Sequence, residues 1–210
     1  MNKKELFEKV IEYFSKSMPK PKTELYYSNP FHLLVAVILS AQCTDKRVNM
    51  ITSSLFKRFP NPQSMANATE KDIFELIKSC SYPNNKAHNL HGMAKMLHEN
   101  YKGLLPGDVD ELQKLPGVGR KTANVVASVI YNKPVLAVDT HVFRVAARIG
   151  LSTKAKNPLE TEKQLIKYFP ASVLPDAHHW LILHGRYVCK ARKPLCWECG
   201  IREWCKYANA

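Results

Sequence analysis

LPGVGRKT, from Leu115 to Thr122, is the stretch that decides the predicted fold. Pro116 presets its own φ angle and the two glycines allow a tight turn, so the stretch predicts a turn leading into a helix from Lys121 to about Tyr131. Unpaired N–H groups at such a helix start bind an anion, and the helix dipole adds to the attraction. The functional interpretation is a phosphate clamp. An ordinary glycine-rich loop is the alternative, because a Gly-x-Gly motif alone is weakly specific.

Lys121 lies in the first turn of that predicted helix. An ordinary lysine is protonated at neutral pH, and its role here would be to grip phosphate. Burial, the neighbouring Arg120 and the positive end of the helix all favour the neutral amine. A neutral lysine can attack a carbon centre and form a Schiff base. The residues alone leave both roles open.

Asp139 follows the apolar run from Val135 to Val138, which predicts a short strand or an extended connection. Together with Thr140 it is expected to cap a helix that ends at Gly150. An ionised carboxylate at the edge of a core can also stabilise an oxocarbenium-like transition state. A plain helix cap is the alternative, and nothing in the sequence places Asp139 within reach of Lys121.

The composition indicates a polyanionic partner. Lys and Arg number 31 and Asp and Glu 18 among 210 residues, which gives a formal net charge of +13. Nucleic acid is the first candidate and an anionic membrane surface the second. The start of the chain predicts an amphipathic helix instead of a secretory signal, and the longest apolar run, Phe31 to Ser40, is too short to span a bilayer. We therefore expect an intracellular protein.

Almost every other segment predicts a helix, so we expect an all-α protein. Ser28-Asn29-Pro30 predicts a helix start, and the segment that follows, Phe31 to Leu39, is apolar on all sides, which is typical of a buried central helix. Further helices are expected at Asp45–Arg58, after a capping box of Thr69 with Asp72, at Asn85–Tyr101, after Asn157-Pro158 and after Pro175. A domain boundary is expected near Asn132.

Four cysteines near the C-terminus have the spacing C-x6-C-x2-C-x5-C: Cys189, Cys196, Cys199 and Cys205. Such density in an intracellular protein predicts a metal site, with zinc or an iron–sulfur cluster as candidates. Only one pair is closely spaced, and the wider gaps favour wrapping around a larger object, hence a cluster. Cys43 and Cys80 are isolated in the sequence, and we expect small buried side chains without a role.

These motifs together resemble the endonuclease III family of helix-hairpin-helix DNA glycosylases. The resemblance covers essentially the whole chain and is carried by LPGVGRKTA (115–123), AVDTHVFRVAARIG (137–150), HHWLILHGRYVC (178–189) with the cysteines, LSAQCTDKRVN (39–49) and NKAHNL (85–90). It implies two helical domains with a DNA-binding cleft between them. Residues 22–132 would form a six-helix barrel, and residues 1–21 and 133–210 a domain holding a [4Fe–4S] cluster on the four cysteines.

The resemblance also implies a function. The protein would excise oxidised pyrimidines from duplex DNA and cleave 3′ to the abasic site by β-elimination. Lys121 falls at the family's Schiff-base nucleophile, Asp139 at its catalytic carboxylate, and Gln42 at a residue that fills the space of the everted base. The other expected DNA contacts are Tyr82, Gly117, Val118, Gly119, Arg120, Arg144 and Lys193. The expected protein is a cytoplasmic, nucleoid-associated prokaryotic monomer that binds damaged or abasic double-stranded DNA and no membrane.

The chain departs from the family pattern at two places. Cys43 stands where alanine is familiar, and the loop Ser81–Asn84 (SYPN) replaces a usual Gly-Leu-Tyr-Asn, which puts Tyr82 at the position of an apolar wedge. An adenine-specific mismatch glycosylase is a weak rival, because it lacks the lysine and adds a C-terminal domain. An 8-oxoguanine glycosylase would lack the four cysteines. A non-enzymatic DNA-binding or redox-sensing module would need neither Lys121 nor Asp139.

Overall fold

The computed structural model describes residues 1–210 and contains α-helices, three short 3-10 turns and no β-strand. The all-α fold class is thereby confirmed. The helices are α1 Lys3–Ser17, α2 Pro30–Ser40, α3 Asp45–Arg58, α4 Pro62–Ala66, α5 Glu70–Ile77, α6 Pro83–Asn100, α7 Val109–Gln113, α8 Arg120–Tyr131, α9 Thr140–Ile149, α10 Pro158–Leu165 and α11 Leu174–Tyr187. None of them combines the length and the apolar character that crossing a bilayer requires.

The helix ends follow the capping residues that the sequence predicts. The Asn29 side chain accepts a hydrogen bond from the amide of His32 at 2.8 Å, and Thr69 and Asp72 form the expected capping box ahead of α5. Gly150 ends α9 in the left-handed region, with φ of 103°. The run from Val135 to Val138 forms no strand and is the extended connection that the sequence left as one of two options.

Residues 24–131 form one compact unit. Its centre is α2, where every residue from Phe31 to Leu39 is buried, as its all-apolar sequence predicts. Helices α3, α6 and α8 pack against α2, and α4 and α5 pack on α6. This unit contains seven helices, α2 to α8, two of them only five residues long.

Residues 1–23 and 132–210 form the second compact unit. Helix α1 belongs to it because Phe7, Val10 and Phe14 are buried in the same apolar core as α9 and α11. The indole N–H of Trp180 donates to the carbonyl of Met18 at 2.8 Å, which joins the end of α1 to α11. That the first unit is a six-helix barrel, that the second holds a cluster, and that a DNA-binding cleft lies between them all stay predictions.

Two expectations about residues 40–84 are wrong. Helix α6 begins at Pro83, not at Asn85, because Tyr82 adopts a left-handed conformation with φ of 53° immediately before it. Cys43 is only partly buried, although a buried side chain was expected, whereas Cys80 is buried as expected.

Candidate functional site

The predicted turn and helix at LPGVGRKT are both present. The amide of Val118 donates to the carbonyl of Leu115 at 3.0 Å, and the amide of Ala123 donates to the carbonyl of Gly119 at 2.9 Å, which starts α8. Gly117 has φ of +78°, and a Cβ there would lie 2.9 Å from the Cβ of Asn89. Gly119 is different, because a Cβ on it would meet no atom within 4 Å. The tight packing thus constrains the first glycine, while the second faces open space at the start of α8.

This difference predicts opposite outcomes for two serine substitutions. Gly117→Ser should lower the free energy of unfolding by about 1–3 kcal/mol, because it combines a left-handed backbone with a steric overlap. Gly119→Ser should leave stability within about 0.5 kcal/mol, because serine suits a helix start and the space is open. Its hydroxyl would nevertheless occupy the N–H groups expected to bind phosphate, so DNA affinity should fall about tenfold. Urea unfolding and fluorescence anisotropy measure the two effects, and unchanged affinity in Gly119→Ser would contradict the clamp.

Lys121 lies in the first turn of α8 and is exposed, as is its neighbour Arg120. One of the three conditions expected to favour a neutral amine, burial, is therefore absent in the free chain. The other two, the adjacent guanidinium and the helix start, are present. Exposure leaves the amine accessible to a bound macromolecule.

Asp139 is the N-cap of α9, as the sequence predicts, and its Oδ1 accepts a hydrogen bond from the amide of Val142 at 2.8 Å. The carboxyl is half-buried. The backbone before it is held by His178, whose Nδ1 lies 2.9 Å from the carbonyl oxygen of Ala137. Sequence reasoning assigned no role to His178, although it lies in the HHWLILHGRYVC motif. Lys121 and Asp139 belong to different compact units, so their proximity stays a prediction.

Gln42 and Tyr82 are both exposed and both have left-handed backbones, with φ of 54° and 53°. Such angles are uncommon outside glycine and cluster at functional positions. The Ser81 hydroxyl connects the two loops by donating to the carbonyl of Gln42 at 2.8 Å. Tyr82 leaves 63% of its surface exposed, so its ring is accessible to a partner.

Lys86 is the residue that holds these loops together, and sequence reasoning missed it. Although it is buried, its ammonium donates to the carbonyls of Leu39 at 2.8 Å and Ala41 at 2.7 Å. It also donates to the Cys80 Sγ and the Ser81 Oγ, each at 3.2 Å. A buried ammonium is stable only with such partners, so Lys86 ties the end of α2 to the loop before α6.

Lys86→Met should lower the free energy of unfolding by about 1–3 kcal/mol, because methionine keeps the stem but leaves buried carbonyls unpaired. The matched control is Lys78→Met. Lys78 forms an exposed pair with Glu75 at 2.9 Å, and its replacement should cost less than about 1 kcal/mol. Equal unfolding midpoints of the two variants in urea would contradict the structural role of Lys86.

Arg144 and Lys193 lie in the unit that contains the cysteine loop. The Arg144 guanidinium donates to the carbonyl of Gly185 at 2.8 Å and to that of Cys189 at 3.2 Å. It therefore joins α9 to the end of α11 and the start of the loop. Lys193 is exposed within the loop, with φ of 51°. DNA contacts by both residues stay predictions.

The four C-terminal cysteines line one small cavity. No three of the protein's His, Cys, Asp or Glu side chains converge closely enough to hold a single metal ion. Four thiols around a common space that do not meet at one point fit a multi-iron cluster better than one tetrahedral zinc. Burial raises the pKa of the Cys199 thiol, and its three cysteine neighbours add to the shift. A positively charged metal centre would remove that penalty.

The cysteines and their loop also contact particular side chains of the surrounding helices. An Arg148 N–H donates to the Cys189 Sγ at 3.5 Å, and burial lowers the pKa of His184, 3.7 Å from the Cys199 Sγ, to about 4. Gly200 approaches the Tyr13 ring so closely that a Cβ there would lie 2.4 Å from it. The loop thus packs closely against the Tyr13 side chain of α1 at Gly200.

Two family models match this chain, one over the segment that holds Lys121 and Asp139 and one over the segment that holds the four cysteines. Residues 35–171 match the family model described as the HhH-GPD superfamily base excision DNA repair protein. Residues 189–205 match the iron-sulfur binding domain of endonuclease III. The second match coincides with the span from the first to the last of the four C-terminal cysteines.

Curated relatives match along nearly the full length. The chain is 50% identical to the endonuclease III of Rickettsia felis over 206 residues, covering 98% of this chain and 96% of that protein. It is 44% identical to the endonuclease III of Escherichia coli K12 over 207 residues, covering 99% and 97%. A solved structure of a trapped endonuclease III–DNA covalent intermediate superposes with a TM-score of 0.94 at 42% identity, covering 100% of this chain and 98% of that one.

Proposed function

Because the chain belongs to the HhH-GPD superfamily of base excision DNA repair proteins, and within it to the endonuclease III family, we propose how its own residues carry out the family's reaction. The protein is a base excision repair enzyme, a DNA glycosylase and AP lyase that carries an iron–sulfur binding domain. The proposed substrate is an oxidised pyrimidine in duplex DNA, and the product is a strand cleaved 3′ to the abasic site.

The observation that carries the proposal is the exposed Lys121 in the first turn of α8, two residues after Gly119, which faces open space. The backbone N–H groups of the turn at residues 115–119, here called the hairpin, would hold a DNA phosphate together with Arg120. The bound phosphate would bring the sugar to the Lys121 amine. Since Lys121 is exposed in the free chain, bound DNA can reach its amine directly.

The reaction begins with a nucleotide that has left the base stack, because C1′ is unreachable inside the duplex. Gln42 and Tyr82 would fill the vacated space, the tyrosine by stacking on the neighbouring bases. The Lys121 nitrogen attacks C1′, the bond from C1′ to the base breaks, and the base leaves with a proton. The ionised Asp139 would stabilise the positive charge that develops on the sugar.

Strand cleavage follows from the same covalent bond. After the sugar ring opens, the lysine nitrogen and C1′ form an imine, which acidifies the proton on C2′. Removal of that proton expels the 3′ phosphate by β-elimination. A solved relative described as a trapped endonuclease III–DNA covalent intermediate supports a route through a covalent bond to DNA.

Cys189, Cys196, Cys199 and Cys205 would hold the [4Fe–4S] cluster, which supplies a four-point cross-link of the C-terminal loop. Fixed in this way, the loop would present Lys193 and its neighbouring cations to phosphates. The net charge of +13 supports a duplex DNA partner. We place the protein in the prokaryotic cytoplasm as a nucleoid-associated monomer.

An excision assay tests the proposed substrate class. Duplexes that carry one oxidised thymine, one oxidised cytosine, one 8-oxoguanine or one adenine mismatch are incubated with the protein, and the strands are separated with and without alkali. Excision of the oxidised pyrimidines, with strands already cleaved before alkali, is the expected result. Preferential action on 8-oxoguanine or on the mismatch would contradict the substrate class, and binding without excision would favour a DNA-binding module.

A further inference from the structure

Cys43 and Cys80, the two cysteines outside the C-terminal loop, lie together at the end of α2. The Cys80 Sγ donates to the carbonyl of Leu39 at 3.4 Å, and the amide of Cys43 donates to the carbonyl of Ser40 at 3.1 Å, so both residues fold onto the same turn. The Ser81 hydroxyl, on the residue after Cys80, donates to the carbonyl of Gln42, the residue before Cys43, at 2.8 Å, so the two cysteines occupy neighbouring positions on joined loops. Cys80 is buried, whereas Cys43 is partly exposed.

A buried cation completes this arrangement. The Lys86 ammonium donates to the Cys80 Sγ at 3.2 Å, which places a positive charge beside the buried sulfur. The pair therefore consists of one thiol that solvent can reach and one buried sulfur beside a positive charge. These are the two parts of a dithiol that oxidises to a disulfide, in which an accessible sulfur is oxidised and its neighbour resolves it.

We propose that Cys43 and Cys80 form a peroxide-responsive dithiol that closes to an intramolecular disulfide. The Cys43 thiolate attacks one peroxide oxygen, the O–O bond breaks, and a sulfenic acid and water result. The Cys80 thiolate then attacks the Cys43 sulfur, the S–O bond breaks, and the leaving hydroxide takes a proton to become water. Both sulfurs are oxidised, the peroxide is reduced, and a dithiol reductant reverses the change.

The environment of Cys43 sets the pH dependence of the first step. Burial raises the pKa of the Cys43 thiol, and its hydrogen bond with Cys80 adds to the shift, while the charge of Lys86 opposes it. At neutral pH the reactive thiolate is therefore a minor species. The oxidation rate should rise with pH until the thiol is fully ionised.

The location gives the disulfide a consequence that rests on the proposed function. Cys43 directly follows Gln42, and Cys80 lies two residues before Tyr82, so the bond would cross-link the two loops that are proposed to fill the vacated space in DNA. Loops held together covalently cannot adjust separately to the opened duplex. Oxidation should then lower the affinity for lesion DNA about tenfold, reversibly.

Peptide mapping of the holoprotein tests the proposal. The protein is treated with a few equivalents of hydrogen peroxide while the visible absorbance of the cluster is followed, and free thiols are then alkylated before and after reduction. The expected product is a single cross-linked peptide joining Cys43 to Cys80, together with a rise in Tm that reduction reverses. Independent alkylation of both thiols after the treatment, or a link from either one to the C-terminal cysteines, would overturn the proposal.

Two variants serve as controls. Cys43→Ala should abolish the cross-linked peptide and the rise in Tm, while its excision activity before oxidation stays that of the unmodified protein. Lys86→Met should slow disulfide formation, and Lys78→Met should not. If the disulfide forms without changing DNA affinity, the dithiol stands and the proposed positions of Gln42 and Tyr82 at the DNA are contradicted.

Discussion

Lys121→Ala should reduce to background the covalent adduct that forms with abasic DNA in the presence of borohydride. Borohydride converts the imine between the lysine nitrogen and C1′ into a stable amine, so the adduct requires that nitrogen. Alanine has a methyl group in place of the lysine side chain, so the variant has no nucleophilic nitrogen at the start of α8. Denaturing electrophoresis of labelled DNA measures the adduct directly, and an undiminished band in Lys121→Ala would rule out this residue as the nucleophile.

Lys121→Arg separates the two roles that the sequence left open. Arginine keeps the positive charge and can grip a phosphate, but it stays protonated and cannot form a Schiff base. We therefore expect near-normal binding of abasic DNA with no trapped adduct. Lys16→Ala is the control for general loss of charge, because Lys16 lies on α1 in an exposed pair with Glu12 and its loss should leave trapping unchanged.

Asp139→Asn should lower base excision about 10²–10³-fold, while binding and stability remain close to those of the unmodified protein. The loss follows from removing a negative charge aimed at a developing cation, an effect of this magnitude in preorganised sites. Stability is retained because asparagine caps a helix as well as aspartate does, so the bond from the Val142 amide survives. Single-turnover excision on lesion duplexes measures the loss.

Asp139→Ala supplies the structural comparison. It removes both the charge and the cap, so it should lose excision to a similar degree and lower the free energy of unfolding by about 1 kcal/mol more than Asp139→Asn. If Asp139→Asn retains near-normal excision while Asp139→Ala loses it, the carboxylate acts only as the cap of α9.

Local patterns explain why much of this protein was predictable. Asn29, Thr69, Asp139 and Gly150 cap helices through contacts with residues a few positions away, and such contacts depend on short-range geometry that the sequence displays. The predicted start of α6 was wrong because Tyr82 is held in a left-handed conformation that its own side chain does not favour. Its loop is tied instead to the end of α2, about forty residues away.

The candidate site likewise has some features that lie within one short segment and others that depend on contacts between distant segments. The hairpin, the lysine in the first turn of α8 and the spacing of four cysteines are visible in the sequence, because each lies in one short segment. The contacts of Lys86 and the joining of the loops that carry Cys43 and Cys80 are not, because the partners come from other segments. The buried Lys86 ammonium, for example, binds the carbonyl of Leu39 across 47 residues of sequence.

By itself, then, the sequence determined the helical class, the capped helices, the hairpin and the four clustered thiols, since periodicity, caps and close spacing act within one or two turns of chain. Only the tertiary structure decided which glycine of the hairpin is sterically required, how the loops of Gln42 and Tyr82 are joined, and that Cys80 lies beside Lys86. Packing of distant segments sets those features, and the periodicity of any one segment carries no information about its distant neighbours.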